Sequence, residues 1–219
     1  MKNIDNKIRT IAENILGRHL TGEDGMSISK IETVEKSLGL ELPTVLRDFY
    51  LLVGNIDAFM SSFEQFIEPY IKGEMLVFLE ENQGVCYWGV NIRDIENETV
   101  FQCTDLETDN PEWHSEEITL TDFLAILMYY QCAQGGYEYG SAVDESDFDS
   151  KEKYLQFLAD VTTDYEKVVE HNGLVIYQNG EKLIWYFTDE QGNLVDPIFA
   201  SARTAEDMEE LETHGFREL

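Results

Sequence analysis

Isoleucines at positions 4, 8, 11 and 15 are spaced by four, three and four residues, one stripe of an amphipathic helix, and Gly17 is placed to end it. A polar loop, His19 to Gly25, follows. Ile31, Val34 and Leu38 repeat the helical spacing behind Ser29 and Glu32, which have the spacing of a capping box, and Gly39 stops the run. Pro43 stands where the first turn of a helix tolerates a residue without an N–H. Leu46, Phe49, Tyr50 and Val53 then recur at helical intervals until Gly54-Asn55. Three helices are therefore expected before any strand.

From Met75 the period changes. Met75–Leu79 and Val85–Val90 are apolar runs on either side of the turn-forming Glu80–Gly84, which predicts two paired strands, and Thr99–Cys103 predicts a third. Phe123, Leu124, Ile126, Leu127 and Tyr130 return to helical spacing ahead of Gly135-Gly136. Residues 136–150 have the composition of an acidic connector. Beyond them Tyr154, Phe157, Leu158, Val161, Tyr165 and Val168 predict a longer helix. Gly173–Tyr177 and Lys182–Phe187 flank Asn179-Gly180, the strongest short hairpin signal in the chain. Asp189–Asn193 is another turn and Leu194–Phe199 another strand, and Thr204 with Asp207 caps a last short helix.

Helices first, then hairpins without regular βαβ alternation, predict an α+β fold: N-terminal helices, a mainly antiparallel sheet with flanking helices, and a C-terminal helix-and-hairpin extension. The expected organisation is a core at 1–135, a connector at 136–150 and an extension at 151–219 packed on the core as one body. Ile31, Val34, Leu38, Leu46, Phe49, Val77, Trp88 and Leu127 are expected to be buried.

Charge changes this picture more than composition does. The chain carries 44 acidic and 15 basic residues, a net of −29. Such a chain is repelled by nucleic-acid phosphates and anionic membrane surfaces, and it attracts basic proteins over a distance. The surplus is uneven: residues 1–100 carry 17 acids and 9 bases, residues 101–219 carry 27 and 6. From Asp94 to Ser150 there are 15 acids and no Lys or Arg. The surplus reads either as solubility alone or adaptation to high salt, or as a surface for a basic partner. The candidates for such a surface are Asp105, Glu107, Asp109, Glu112, Glu116 and Glu117, then Asp144, Glu145, Asp147 and Asp149.

Catalytic signatures are missing. The four histidines are scattered, and no zincin, nucleophile-elbow, phosphate-loop or dinucleotide motif occurs. Cys86 or Cys132 with His114 could be drawn as nucleophile and base, but the three cysteines read as reduced thiols of a cytoplasmic protein. The acids at 144–149 lack the glycine and terminal glutamate of a calcium loop. No apolar run is long enough for a membrane span, and the N-terminus has no signal-peptide pattern. The expectation is a non-enzymatic protein without cofactor or metal.

Residues 31–54 carry a further pattern: Glu35 ahead of Leu38-Gly39, Leu42-Pro43 opening a helix with Phe49, and a stop at Gly54. An apolar strand at Leu76–Leu79, a turn, and a strand ending in Trp88-Gly89 follow, then a helix around Asp122-Phe123-Leu124. In order and spacing these pieces resemble the SUKH superfamily over about residues 25–135. The tail, with Phe199–Ala202 and Thr204–Asp207, is similar to C-terminal parts of some members. One departure is Gly54 before Asn55, where many members have the reverse order. The resemblance implies function by binding, as in bacterial immunity proteins that neutralise polymorphic or contact-dependent toxins, many of them nucleases or deaminases. The alternative is a regulatory protein-interaction module with no toxin partner.

Overall fold

The computed structural model describes residues 2–94 and 98–218, so residues 95–97 of the base-free stretch, and the side chain of Ile4, lie outside the described residues. The chain divides into two units: one holds the chain up to Glu13 and Arg18–Gln131, the other holds Asn14–Gly17 and everything from Cys132 on.

The first unit begins with helices α1 (Lys2–Leu16, its last turn grouped with the second unit), α2 (Ile28–Leu38), α3 (Thr44–Val53) and the single turn α4 (Asp57–Met60). Ser27, not Ser29, caps α2, its hydroxyl accepting the Lys30 N–H. Gly39 ends α2 at φ 70°, a left-handed conformation that glycine adopts without Cβ strain. Pro43 stands one place before the first residue of α3, as its cap. The apolar face of α3 is buried at Val45, Leu46, Phe49, Tyr50 and Val53.

Five strands follow: β1 (Glu64–Lys72), β2 (Met75–Glu81), β3 (Tyr87–Asn91), β4 (Thr99–Cys103) and β5 (His114–Thr119). They form an antiparallel meander in chain order, closed by helix α5 (Leu120–Gln131). The apolar runs mark β2, β3 and β4, while the edge strands β1 and β5 are too polar to show a run. Polar edges are how sheets avoid pairing with other chains, and Pro69 of β1 falls in a bulge, where a missing N–H costs no ladder bond. Aromatic packing ties the sheet to its helices: Phe66 stacks on Phe49 at 5.2 Å, and Phe78 meets Phe123 edge-on at 6.3 Å. Gln131, fully buried, clamps the start of β1. Its Oε1 accepts the N–H groups of Phe63 (2.7 Å) and Glu64 (2.9 Å), and its amide donates to the carbonyls of Phe59 and Glu64.

In the second unit a π turn at Cys132–Gly136 precedes β6 (Tyr139–Val143), α6 (Lys151–Val161), β7 (Glu166–His171), β8 (Leu174–Asn179), β9 (Lys182–Thr188), β10 (Leu194–Ala202), α7 (Ala205–Thr213) and the short β11 (Arg217–Glu218). The sheet order is β11-β6-β10-β9-β8-β7, with antiparallel neighbours. Tyr154 of α6 anchors it. Its hydroxyl donates to Asp196 Oδ1 (2.7 Å) and accepts the Ile198 N–H (2.9 Å), amid Val143, Ile184, Ile198 and Leu211.

Three expectations change. Residues 136–150 are no mere connector: they supply β6, hydrogen-bonded between β10 and β11, and this unit begins at Cys132 rather than at 151. The helix after residue 150 stops at Val161, with the hydroxyls of Thr162 and Thr163 bonded back to the carbonyls of Leu158 and Ala159; Tyr165 lies beyond it and Val168 is on β7. Finally, Val34, Leu38 and Trp88 are half-buried, whereas Ile31, Leu46, Phe49, Val77 and Leu127 are buried.

Candidate partner-binding surface

Register places Tyr70, Val77, Gly89 and Phe101 opposite one another across β1 to β4, so the four share one face of the first sheet. Tyr87 and Cys103, each two residues along a strand, share it too. Gly89 is required here by close approach: a Cβ would lie 2.8 Å from the Leu76 carbonyl oxygen and 3.5 Å from the Trp113 ring, which lies over this position. The face thus presents Tyr70 (38% exposed), Tyr87, Phe101 and Trp113, with Lys72 at the edge. Partial burial raises the phenol pKa values of Tyr70 and Tyr87. The Tyr87 phenol then acts on Tyr70, and the carboxylates of Glu80 and Glu107 act on both, so these groups are neighbours.

The loop between β4 and β5 brings the acids to this face. Asp105 shapes it from within: Oδ1 accepts the Cys103 thiol (3.1 Å) and the Glu112 N–H (2.9 Å), and Oδ2 accepts the Thr108 hydroxyl (3.4 Å). These bonds, the thiol's first, hold its carboxyl below the usual range. Glu107, Asp109 and Glu112 project into solvent. None of the three, nor the exposed Glu117 on β5, takes part in an ion pair among the described residues.

Glu116 points the other way. On β5 it alternates with Ser115, which faces Phe101, and its Oε1 accepts the Trp88 indole N–H at 2.8 Å. Trp88 in turn packs on Phe123. On that helix-facing side Glu64 is buried opposite Glu81, with its Oε2 lacking a hydrogen-bond partner; burial first, then the charge of Glu81, pushes its pKa up to about 7.

The second group of acids, in the second unit, is largely engaged in local structure. Asp144 caps the turn Glu145–Asp147 by accepting the Ser146 N–H, and Asp147 accepts the Asp144 N–H. Arg217 pairs with Asp147 at 2.6 Å, Lys153 pairs with Asp149, and the Glu145 N–H donates to Asp196. In the first unit Lys7 likewise pairs with Asp122. A stretch without bases in sequence is thus not without bases in space.

No family model, no curated protein and no solved structure matches this chain. The signature positions are explained by local structure. Glu35 accepts the Leu42 N–H (3.1 Å) and meets Arg47 Nε at 3.3 Å, tying α2 to α3. Leu42 and Phe49 are core, and Gly54 caps α3.

All three thiols are raised, chiefly by burial: Cys86 to about 11, with Cys103 and Cys132 also above the free value. A thiol held protonated is a poor nucleophile, so burial works against Cys86 or Cys132 in that role. Among the described residues no three His, Cys, Asp or Glu side chains could hold a metal ion. No described helix is long and apolar enough to cross a membrane. Sequence reasoning missed Tyr70, Tyr87 and Trp113. Trp113, set between Glu112 and His114 in a loop of acids, was the available signal.

Proposed function

We propose that the chain acts by binding a basic protein, as an immunity protein that neutralises a nuclease or deaminase toxin stoichiometrically. The observation that carries this reading is the juxtaposition of unpaired loop acids, Glu107, Asp109 and Glu112, with the aromatic face of Tyr70, Tyr87 and Trp113. Tyrosine and tryptophan are the residue types that dominate binding energy at interfaces, and a rim of like charge steers an oppositely charged partner into contact. A nuclease must carry basic groups to hold phosphates, which makes its active face complementary to this one. Among the candidate acids, Glu107, Asp109 and Glu112 are assigned to the partner, while Asp105, Asp144 and Asp147 are assigned to the fold. The reading assigns no catalysis and no cofactor to this chain.

The test is inhibition. Purified nuclease and deaminase toxin domains are assayed with increasing amounts of the full chain, expecting complete loss of activity at one-to-one stoichiometry for the cognate toxin. A Trp113→Ala variant should need a large excess. A variant that inhibits like the parent would remove the aromatic face from the account.

A further inference from the structure

The aromatic face of the first sheet carries one carboxylate from its own strands, Glu80. Val77 and Glu80 are three residues apart on β2 and would face opposite sides of a regular strand. A bulge at Phe78 puts both on the aromatic face: Val77 pairs with Tyr70 and Gly89, and Glu80 pairs with Tyr87. Glu80 is half-buried and takes part in no ion pair among the described residues. Lys72 shares the face and takes part in none either. The rings are open in the same sense. Among the described residues Tyr70, Tyr87 and Trp113 pack against no other aromatic ring. The cation that does lie over a ring is Lys167, on Tyr177 of the second unit.

We propose that Glu80 and the rings of Tyr70, Tyr87 and Trp113 receive an arginine side chain of the partner, its guanidinium lying over a ring and donating two hydrogen bonds to the Glu80 carboxylate. Ring faces attract a cation, and a carboxylate held beside them on a strand supplies the opposite charge. Glu107, exposed on the loop, adds a second negative charge, which both phenols feel. Arginine fits better than lysine. A guanidinium is flat enough to stack on a ring, presents paired N–H donors to one carboxylate, and gives up less hydration than an ammonium in a half-buried place. The proposal rests on the partner reading for the source of the arginine, and adds to it the residue the partner inserts.

Three blocked tripeptides, acetyl-Gly-X-Gly-amide with X as arginine, lysine or citrulline, are titrated into the full chain while the Trp113 indole N–H is followed by NMR. The arginine peptide should give saturable shifts and bind roughly 2- to 10-fold more tightly than the lysine peptide, the range expected for one added hydrogen bond. Citrulline, nearly the same shape without the charge, should not saturate. Glu80→Gln should weaken the arginine peptide at least about fivefold and erase its lead over lysine. Tyr87→Leu should weaken it roughly 2- to 5-fold, as loss of one ring under a cation does. Glu206→Gln removes the same charge on α7 of the second unit and should leave binding unchanged. The proposal is overturned if arginine gives no saturable shift, if lysine or citrulline binds as well, or if Glu80→Gln binds no differently from Glu206→Gln. It fails separately from the partner reading: toxin inhibition without arginine binding removes this site alone, and arginine binding without inhibition of any toxin removes the partner reading alone.

Discussion

Glu64→Gln should make the stability of the first unit respond differently to pH. The Glu64 carboxyl is buried with one oxygen unpartnered, and its pKa stands at about 7 against an ordinary value of 4.5. The folded state therefore holds this proton more tightly than the unfolded state does. Below the unfolded value both states are protonated and the group costs nothing; as pH rises from 4.5 to about 7 the unfolded chain ionises first, and stability falls. At about 1.4 kcal/mol per tenfold change in proton affinity, the full effect is about 3 kcal/mol. The part lying between pH 5 and pH 8 is about 2 kcal/mol by the same relation. Glutamine keeps the shape and removes the titration. Urea unfolding of both proteins at equal ionic strength, followed by tryptophan fluorescence, to which Trp88 and Trp113 of this unit contribute, reads the difference. Glu64→Gln should gain about 2 kcal/mol on the parent between pH 5 and pH 8. A stability difference that stays constant over that range, or one that favours the parent as pH rises, would refute the reasoning.

Other outcomes follow from the same structure. Gln131→Met should cost about 2–4 kcal/mol in urea unfolding, because the N–H groups of Phe63 and Glu64 lose their acceptor inside the protein. Tyr154→Phe should cost about 1–3 kcal/mol in the second unit, leaving the Ile198 N–H and Asp196 without their shared hydroxyl; an unchanged midpoint would mean that solvent replaces it. Joint replacement of Asp144, Asp147 and Asp149 by Asn should lower the melting temperature slightly and leave association with a basic partner unchanged, since these acids cap a turn and pair with Arg217 and Lys153.

Element type was legible wherever burial left a period in the sequence. The α3 stripe of Leu46, Phe49, Tyr50 and Val53, the run Met75–Leu79 and the Asn179-Gly180 hairpin all fall where the structure has them. What escaped were elements whose partners are distant in sequence. β1 and β5 are polar edge strands, and β6 pairs with a strand more than fifty residues further on. The acidic surface was legible in composition only. Sequence gave no means to tell Glu107, in solvent, from Glu116, two strands away from the Trp88 it bonds, or from Asp147 beside Arg217. Those distinctions arise from strand alternation and from bases contributed by other segments.

The most direct test of the central claim is the association rate with a basic toxin domain, measured by stopped flow over a range of salt, for the parent and for Glu107→Gln/Asp109→Asn/Glu112→Gln. At low ionic strength, where the screening length exceeds about 10 Å, the parent should associate at least about tenfold faster than the variant. The two rates should converge as salt rises, with the dissociation rate little changed. Equal rates and equal salt dependence for the two proteins would contradict the account and leave the acids of this loop with solubility alone.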